Sequence, residues 1–244
     1  MAARGRPARG RSAHIDEQNA MIEVISATRL PEQDFWNRSA LGISLRRLAF
    51  DGRIVSSVAF ANRAGLPEIY NARISPANRA EVLIFVHDDV WIEDYFLADR
   101  VLAGLQSFDV IGVAGNRRRP PHQRGWGAVG GDVANYGASD LSGAVAHGSN
   151  PFGRVATFGP VPAECELLDG VFIAARLGTL LARAVRFDPR FDFHFYDLDF
   201  CRSARNAGLR LGTWPICLTH QSKGAYESPP WLNAYDRYLQ KWGD

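Results

Sequence analysis

Apolar residues in the first part of the chain alternate between strand-like runs and helical spacing. Residues 22–27 and 54–60 have strand-like composition, and the continuous apolar run 82–86 is typical of a strand covered on both faces. Between them, apolar positions over 35–48 recur at helical spacing, and Pro67 suits the first turn of another helix. The alternation predicts stacked strand–helix units.

The pattern changes in the middle of the chain. A helix is predicted over 93–106 and a strand over 110–114, but residues 116–160 are rich in Gly, Pro, Asn and Arg and lack sustained periodicity. Order then returns with a strand over 167–174, a helix over 197–207, a strand over 209–218 and a helix over 231–242. Strands alternating with helices predict an α/β fold with a mostly parallel central sheet flanked by helices, whose ligands bind beyond the carboxyl ends of the strands.

The length of the chain indicates one domain, and its charge distribution indicates a basic tail. The 244 residues, 46% of them hydrophobic, suit a single large core over residues 21–244. Of the 28 basic side chains, four are arginines that precede the first acid, Asp16, so the rest of the chain is slightly acidic. We therefore expect residues 1–20 to be a disordered Arg-rich tail, and no nucleic-acid partner.

The cysteines and the hydropathy of the chain indicate which cellular compartment to expect. Three widely spaced cysteines suit neither a disulfide framework nor a CxxC-type zinc site, and a reducing cytoplasm is the simplest expectation. The longest apolar runs are far shorter than the roughly 20 residues that cross a bilayer, so no membrane span is expected.

The triplet His87-Asp88-Asp89 directly follows the apolar run 82–86. Two adjacent carboxylates at the end of a buried strand repel each other, and a divalent cation would relieve that repulsion. Oxygen ligands such as Asp89 suit Mg²⁺ or Mn²⁺. In the alternative interpretation, the two aspartates cap a helix that begins near Glu93 or pair with arginines.

A second pair of carboxylates, Asp197 and Asp199, lies at the start of a predicted helix. Residues two positions apart on a helix point about 200° away from each other, so the two carboxylates should not share one task. Asp197 is either a helix N-cap or a general base that takes a proton from an attacking hydroxyl.

Four further residues are candidates for ligand contacts. His220 and Lys223 follow a predicted strand, where a histidine can coordinate metal and a lysine can meet phosphate. Asp169 interrupts an apolar run, and it either holds substrate hydroxyls or satisfies a neighbouring loop. Trp126, between two glycines, either stacks on a sugar or has a packing role.

Several segments together resemble GT-A glycosyltransferases. Those segments are the apolar strand with the His87-Asp88-Asp89 triplet, 168–172, 187–188, 195–201 and His220. Over residues 22–226 they are similar to the glycosyltransferase-like group associated with streptomycin biosynthesis. Three features depart from the family pattern: Tyr196 stands where a glutamate is usual, His87 occupies the first position of the DxD-like triplet, and Ala61-Asn62-Arg63 stands where aspartates usually follow the second strand.

The resemblance implies a role for each matching position. Residues 21–115 would form a nucleotide-binding half and residues 116–244 an acceptor-binding and catalytic half. The expected donor contacts are Thr28, Arg29, Asn71, Asp88, Asp169 and Lys223; the expected metal ligands are Asp89 and His220; the expected acceptor contacts are Trp126 and Asp199; and the expected base is Asp197.

These roles predict a metal-dependent glycosyltransferase. It would move a sugar from a UDP-, GDP- or dTDP-linked donor to the hydroxyl of an unknown acceptor, with Mn²⁺ or Mg²⁺ as cofactor and with inversion at the sugar carbon. The alternatives are a sugar nucleotidyltransferase and a catalytically silent nucleotide- or sugar-binding protein of the same fold. The sequence does not predict the oligomeric state.

Overall fold

The computed structural model describes residues 19–127, 140–222 and 226–243, so nearly all of the predicted tail lies outside the described residues. The strands are β1 (Ile22–Ala27), β2 (Ile54–Ala59), β3 (Val82–Val86), β4 (Val90–Ile92), β5 (Val110–Gly112), β6 (Ala114–Asn116), β7 (Leu141–His147), β8 (Arg154–Gly159), β9 (Ala163–Cys165), β10 (Leu167–Leu168), β11 (Phe172–Arg176), β12 (Leu211–Thr213) and β13 (Leu218–His220). The helices are α1 (Glu32–Arg38), α2 (Ala40–Leu48), α3 (Leu66–Arg73), α4 (Leu97–Ser107), α5 (Leu177–Ala182), α6 (Tyr196–Asn206) and α7 (Pro229–Trp242).

The central sheet has seven strands in the order β2-β1-β3-β11-β5-β12-β9. The predicted α/β class with a central sheet flanked by helices is confirmed. The sheet is mixed rather than mostly parallel, because β11 inserts antiparallel between β3 and β5 and β9 pairs antiparallel with β12. Strands β2, β1 and β3 are parallel, as the alternating pattern predicted, and β12 is also parallel to β5.

A second, smaller sheet has the order β10-β6-β7-β13-β4, with β8 paired to β7. Only the triplet His87-Asp88-Asp89 separates the end of β3 from the start of β4. The chain therefore passes from the central sheet to the second sheet through this triplet. Strand β13 pairs antiparallel with β4, and the register places His220 opposite Val90. This pairing brings together residues that lie far apart in the sequence.

The local predictions failed mainly where elements are short. The triplet is followed by β4 and not by a helix near Glu93, and α4 begins only at Leu97. The irregular stretch 116–160 contains the paired strands β7 and β8. The predicted helix over 35–48 is two helices, because the Ser39 side chain accepts a hydrogen bond from the Gly42 amide at 2.9 Å and caps α2.

The core lies on both faces of the central sheet. Leu83 and Phe85 of β3 belong to one buried cluster, and Val82, Ile84 and Val86 belong to the other. Strand β3 is therefore covered on both faces, as its uninterrupted apolar sequence predicts, and only its carboxyl end reaches polar surroundings.

Two predictions about the chain as a whole concern its cysteines and its hydropathy. All three cysteines are free thiols, two of them buried, which confirms that they form no disulfide framework. Within the described ranges, none of the helices is both long and apolar enough to cross a bilayer.

Candidate active site

A cavity of about 520 Å³ opens at the carboxyl end of β3. The triplet that follows this strand lines it, together with Asp169, Asp197 and His220. Of the residues predicted from the sequence, the cavity lining therefore includes Asp88, Asp89, Trp126, Asp169, Asp197 and His220. Their convergence follows from the fold, since β3, the segment before β11, the start of α6 and the end of β13 all meet at this edge of the sheet.

Three residues at the base of the cavity form a candidate cation site. His87, Asp89 and His220 each offer one ligand atom, and these atoms lie within 4.8 Å of one another. The Nε2 atom of His220 is 3.3 Å from Oδ1 of Asp89. Asp89 and His220, both expected to be metal ligands, thus lie side by side, and His87, whose role the sequence left open, lies with them.

Electrostatics keep Asp89 ionised. Burial alone would raise the pKa of Asp89, but the hydrogen bond and the charge of His220 outweigh it and hold the pKa at about 2. For His220, burial favours the neutral ring, but contact with Asp89 outweighs burial and raises the pKa of His220 above its ordinary value. A negatively charged oxygen is thus present at this position over the whole physiological pH range.

His87 is fixed by its surroundings. Its Nε2 atom is 2.8 Å from the Tyr196 hydroxyl, and its ring stacks on Phe193 with centroids 5.8 Å apart. Burial lowers the pKa of His87, with a smaller opposing contribution from Asp89. The imidazole is therefore neutral at pH 7, which is the form that ligates metals.

Asp88 does not belong to the candidate cation site, and its carboxylate contacts Thr28. Burial raises the pKa of Asp88, and a hydrogen bond with the Thr28 side chain partly lowers it again. Thr28 directly follows β1, so it reaches the same sheet edge as the triplet. Its neighbour Arg29 is exposed and does not line the cavity in the described structure.

Asp197 and Asp169 form a second carboxylate group on the cavity wall. The Gly170 amide donates a hydrogen bond to Oδ2 of Asp197 at 2.9 Å, and the Val171 amide donates to Oδ1 of Asp169 at the same distance. Burial, with a contribution from the negative charge of Asp169, raises the pKa of Asp197 to about 7. The N-cap of α6 is Phe195, in a left-handed conformation with φ 64°, so Asp197 is not the cap.

Two predicted contacts lie away from the cavity. Asn71 was expected to touch the donor, but its side-chain amide donates to the Phe187 carbonyl at 2.7 Å and accepts from the Phe187 amide at 3.0 Å. Asp199 was expected to touch the acceptor, but it is 0% exposed and contacts Lys241 at 2.6 Å and Trp242 at 2.8 Å. The helical spacing explains this, because it turns Asp199 away from Asp197.

The remaining predicted residues lie in or near loops. Trp126 lines the cavity, its carbonyl accepts hydrogen bonds from Asn116 at 2.9 Å and Gln123 at 3.2 Å, and its ring packs edge-to-face on Phe158 at 5.0 Å. Lys223 falls outside the described residues.

The cavity-lining residues that sequence reasoning missed include His147, Phe193, Tyr226 and Trp231. His147 ends β7, and its register beside His220 brings its ring within 6.2 Å of the His220 ring. No local signal identifies it, since β7 lies in the stretch without periodicity. Phe193 could have been suspected from its position just before the Asp197 motif.

The comparisons with known proteins come from structure alone, because the sequence matches no family model and no curated protein. A crystal structure of GalNAc-T7 with UDP, GalNAc and Mn²⁺ is similar with a TM-score of 0.53 and 13% identity, over 94% of this chain and 50% of that chain. Two crystal structures of S. aureus TarS, the second of residues 1–349, give TM-scores of 0.48 and 0.45 at 13% identity, over 90% and 82% of this chain and 39% and 60% of theirs. The chain thus spans half the length of the GalNAc-T7 chain, and it has the GT-A fold.

Proposed function

We propose that the protein is a glycosyltransferase that moves a sugar from a nucleotide-sugar donor to an acceptor hydroxyl with the help of a divalent cation. The observation that carries the proposal is the presence, in one cavity, of a three-residue cation site and of a carboxylate with a pKa near neutrality. The GT-A fold supports it. The finer relation to the streptomycin-associated group rests on the residue pattern alone.

The donor atoms of the cation site fit a particular class of ion. Two imidazoles and one carboxylate, His87, His220 and Asp89, form a mixed nitrogen and oxygen set. Mg²⁺ prefers oxygen ligands throughout, so of the two ions expected from the sequence we infer Mn²⁺, the transition metal, as the cofactor. When bound, this cation would offset the negative charge of the donor diphosphate. GalNAc-T7 was crystallised with UDP and Mn²⁺.

We assign the donor nucleoside to the side of the cavity lined by Asp88, whose carboxylate is held by the buried Thr28 behind it. A carboxylate there can accept hydrogen bonds from ribose hydroxyls, which are paired donors of suitable spacing. Asp169 lies nearer to Asp197 and would accept from hydroxyls of the transferred sugar. Trp126 offers an apolar ring on which a sugar face can stack.

Asp197 is the proposed general base. Its pKa of about 7 places it close to the working pH, where a carboxylate is both substantially ionised and basic enough to accept a proton. The Gly170 amide donates to its Oδ2 and the Leu198 amide to its Oδ1, and each oxygen keeps a second lone pair that can receive the proton of an acceptor hydroxyl. Attack from this side on the sugar carbon, opposite the leaving diphosphate, inverts the configuration.

The proposal is tested with UDP-, GDP- and dTDP-sugars in the presence of Mn²⁺. We expect release of a nucleoside diphosphate and an Asp197→Asn variant that is slower by about 10²- to 10⁴-fold. Asp236→Asn, at an exposed position on α7, is the matched control and should retain full activity. NMR of the sugar product should show inverted anomeric configuration.

Three outcomes would contradict parts of the proposal. Release of pyrophosphate would identify a nucleotidyltransferase. Metal-independent nucleotide or sugar binding without turnover would identify a silent binding protein. A product of retained configuration would refute the role of Asp197 in a single displacement.

A further inference from the structure

The hydroxyl of Tyr196 connects the candidate cation site to the loop that carries Asp169. It lies 2.8 Å from Nε2 of His87 and donates a hydrogen bond to the Gly170 carbonyl at 2.9 Å. A tyrosine hydroxyl has a single proton, and a carbonyl oxygen can only accept. Both contacts are hydrogen bonds only if the Tyr196 proton points at Gly170 and the His87 Nε2–H donates to the tyrosine oxygen.

That assignment determines the state of the imidazole. A neutral histidine carries one proton, and here it is on Nε2. The lone pair that can bind a cation is then on Nδ1. The hydrogen bond made by one ring nitrogen commonly selects the nitrogen that binds metal in this way, and the group that makes it also sets the orientation of the ring.

The surroundings of Tyr196 keep its hydroxyl in place. The residue is 2% exposed, and its ring packs against Tyr70 and Phe187 with centroids 5.9 Å away in each case. Position 170 must be glycine for this contact, because a Cβ there would lie 2.2 Å from the tyrosine oxygen. The packed ring of Tyr196 and the absence of a side chain at Gly170 therefore both favour the hydrogen bond between the Tyr196 hydroxyl and the Gly170 carbonyl.

We propose that Tyr196 is a positioning residue for the cation site: its hydroxyl holds His87 as the Nε2–H tautomer and presents Nδ1 to the ion. This inference rests on the cation site of the proposed function. It also gives a role to the position where GT-A enzymes usually have a glutamate. Tyr196 also lines the cavity, but its proposed role is exercised through His87.

The test measures binding of Mn²⁺ alone, followed by the EPR signal of the free ion, in wild type and Tyr196→Phe. Loss of an outer-shell partner should weaken binding about 10- to 100-fold. The matched control is Tyr238→Phe, which deletes the same atom from another buried tyrosine whose hydroxyl contacts Arg202 at 3.4 Å. This control should bind Mn²⁺ as wild type does.

Unchanged or tighter binding by Tyr196→Phe, with wild type and Tyr238→Phe both binding, would overturn the role of Tyr196 and leave the proposed function standing. If neither wild type nor the control binds Mn²⁺, the cation site itself fails, and both proposals fall. A readout independent of the variant's folding is the ¹H–¹⁵N spectrum of wild-type imidazoles, with His87 assigned by His87→Gln. A proton on Nε2 is expected, and a proton on Nδ1 would overturn the inference.

Discussion

Replacing Asp197 by asparagine should change the pH dependence of the unfolding free energy. The expected direction is opposite to that for a carboxylate that folding stabilises in its charged form. The pKa of Asp197 is about 7 in the folded protein against 3.8 for the ordinary group. Because the folded state holds the proton more tightly, its stabilising contribution is complete below pH 3.8 and is lost as the pH rises towards 7. Between pH 5 and pH 8 the unfolding free energy of the wild-type protein should fall by about 2 to 3 kcal/mol through this group. The asparagine variant should show no such loss, because asparagine does not titrate.

The assay is urea unfolding of both proteins at several pH values, with a chelator present so that no cation contributes. The informative quantity is the difference in unfolding free energy between variant and wild type. It should move in favour of asparagine as the pH rises, although the absolute offset also includes an asparagine NH₂ group that faces either the Gly170 or the Leu198 amide. A difference that is flat across this range would refute the raised pKa. So would a difference that moves in favour of wild type, as expected for a carboxylate stabilised in its charged form.

Three further predictions follow from other parts of the structure. Wild-type turnover should rise with pH along a limb with an apparent pKa near 7, because Asp197 must be ionised to accept a proton, and a rate that falls through this range would exclude it as the base. Lys241→Met should lower the unfolding free energy by about 3 to 5 kcal/mol in urea titrations, since it leaves the buried Asp199 carboxylate without its ion pair; a loss below 1 kcal/mol would show that Asp199 is protonated or solvated. Ser39→Ala should cost about 1 kcal/mol by removing the cap of α2, whereas an exposed serine such as Ser56 should tolerate alanine without measurable change.

The sequence predicted those parts of the fold whose signal is local. The run 82–86 identifies a doubly covered strand because every residue in it is apolar, and the structure has β3 at that position. The short strands of the second sheet gave no such signal. Strands of three residues, such as β4 and β13, are too short to show a period, and their pairing depends on contacts about 130 residues apart in sequence.

The candidate site shows the same division. Asp89 and His220 could be proposed from residue type and position after strands, and they lie side by side. The directions of Asn71 and Asp199 depend on tertiary packing, and no pattern in the sequence shows that a Phe187 backbone or a lysine from α7 satisfies them. The contribution of His87 was equally hidden, since it depends on a tyrosine more than a hundred residues away.

The register between β13 and β4 has a consequence for how the protein assembles. His220 stands next to Asp89 only when β13, the last strand in chain order, has docked, whereas His87 and Asp89 are only two positions apart in sequence. An unfolded or half-assembled chain therefore offers two of the three ligands, and only the complete fold offers all three. Bound Mn²⁺ would link His87 and Asp89 to His220 and so stabilise the complete fold. The melting temperature of the protein should therefore rise with the Mn²⁺ concentration.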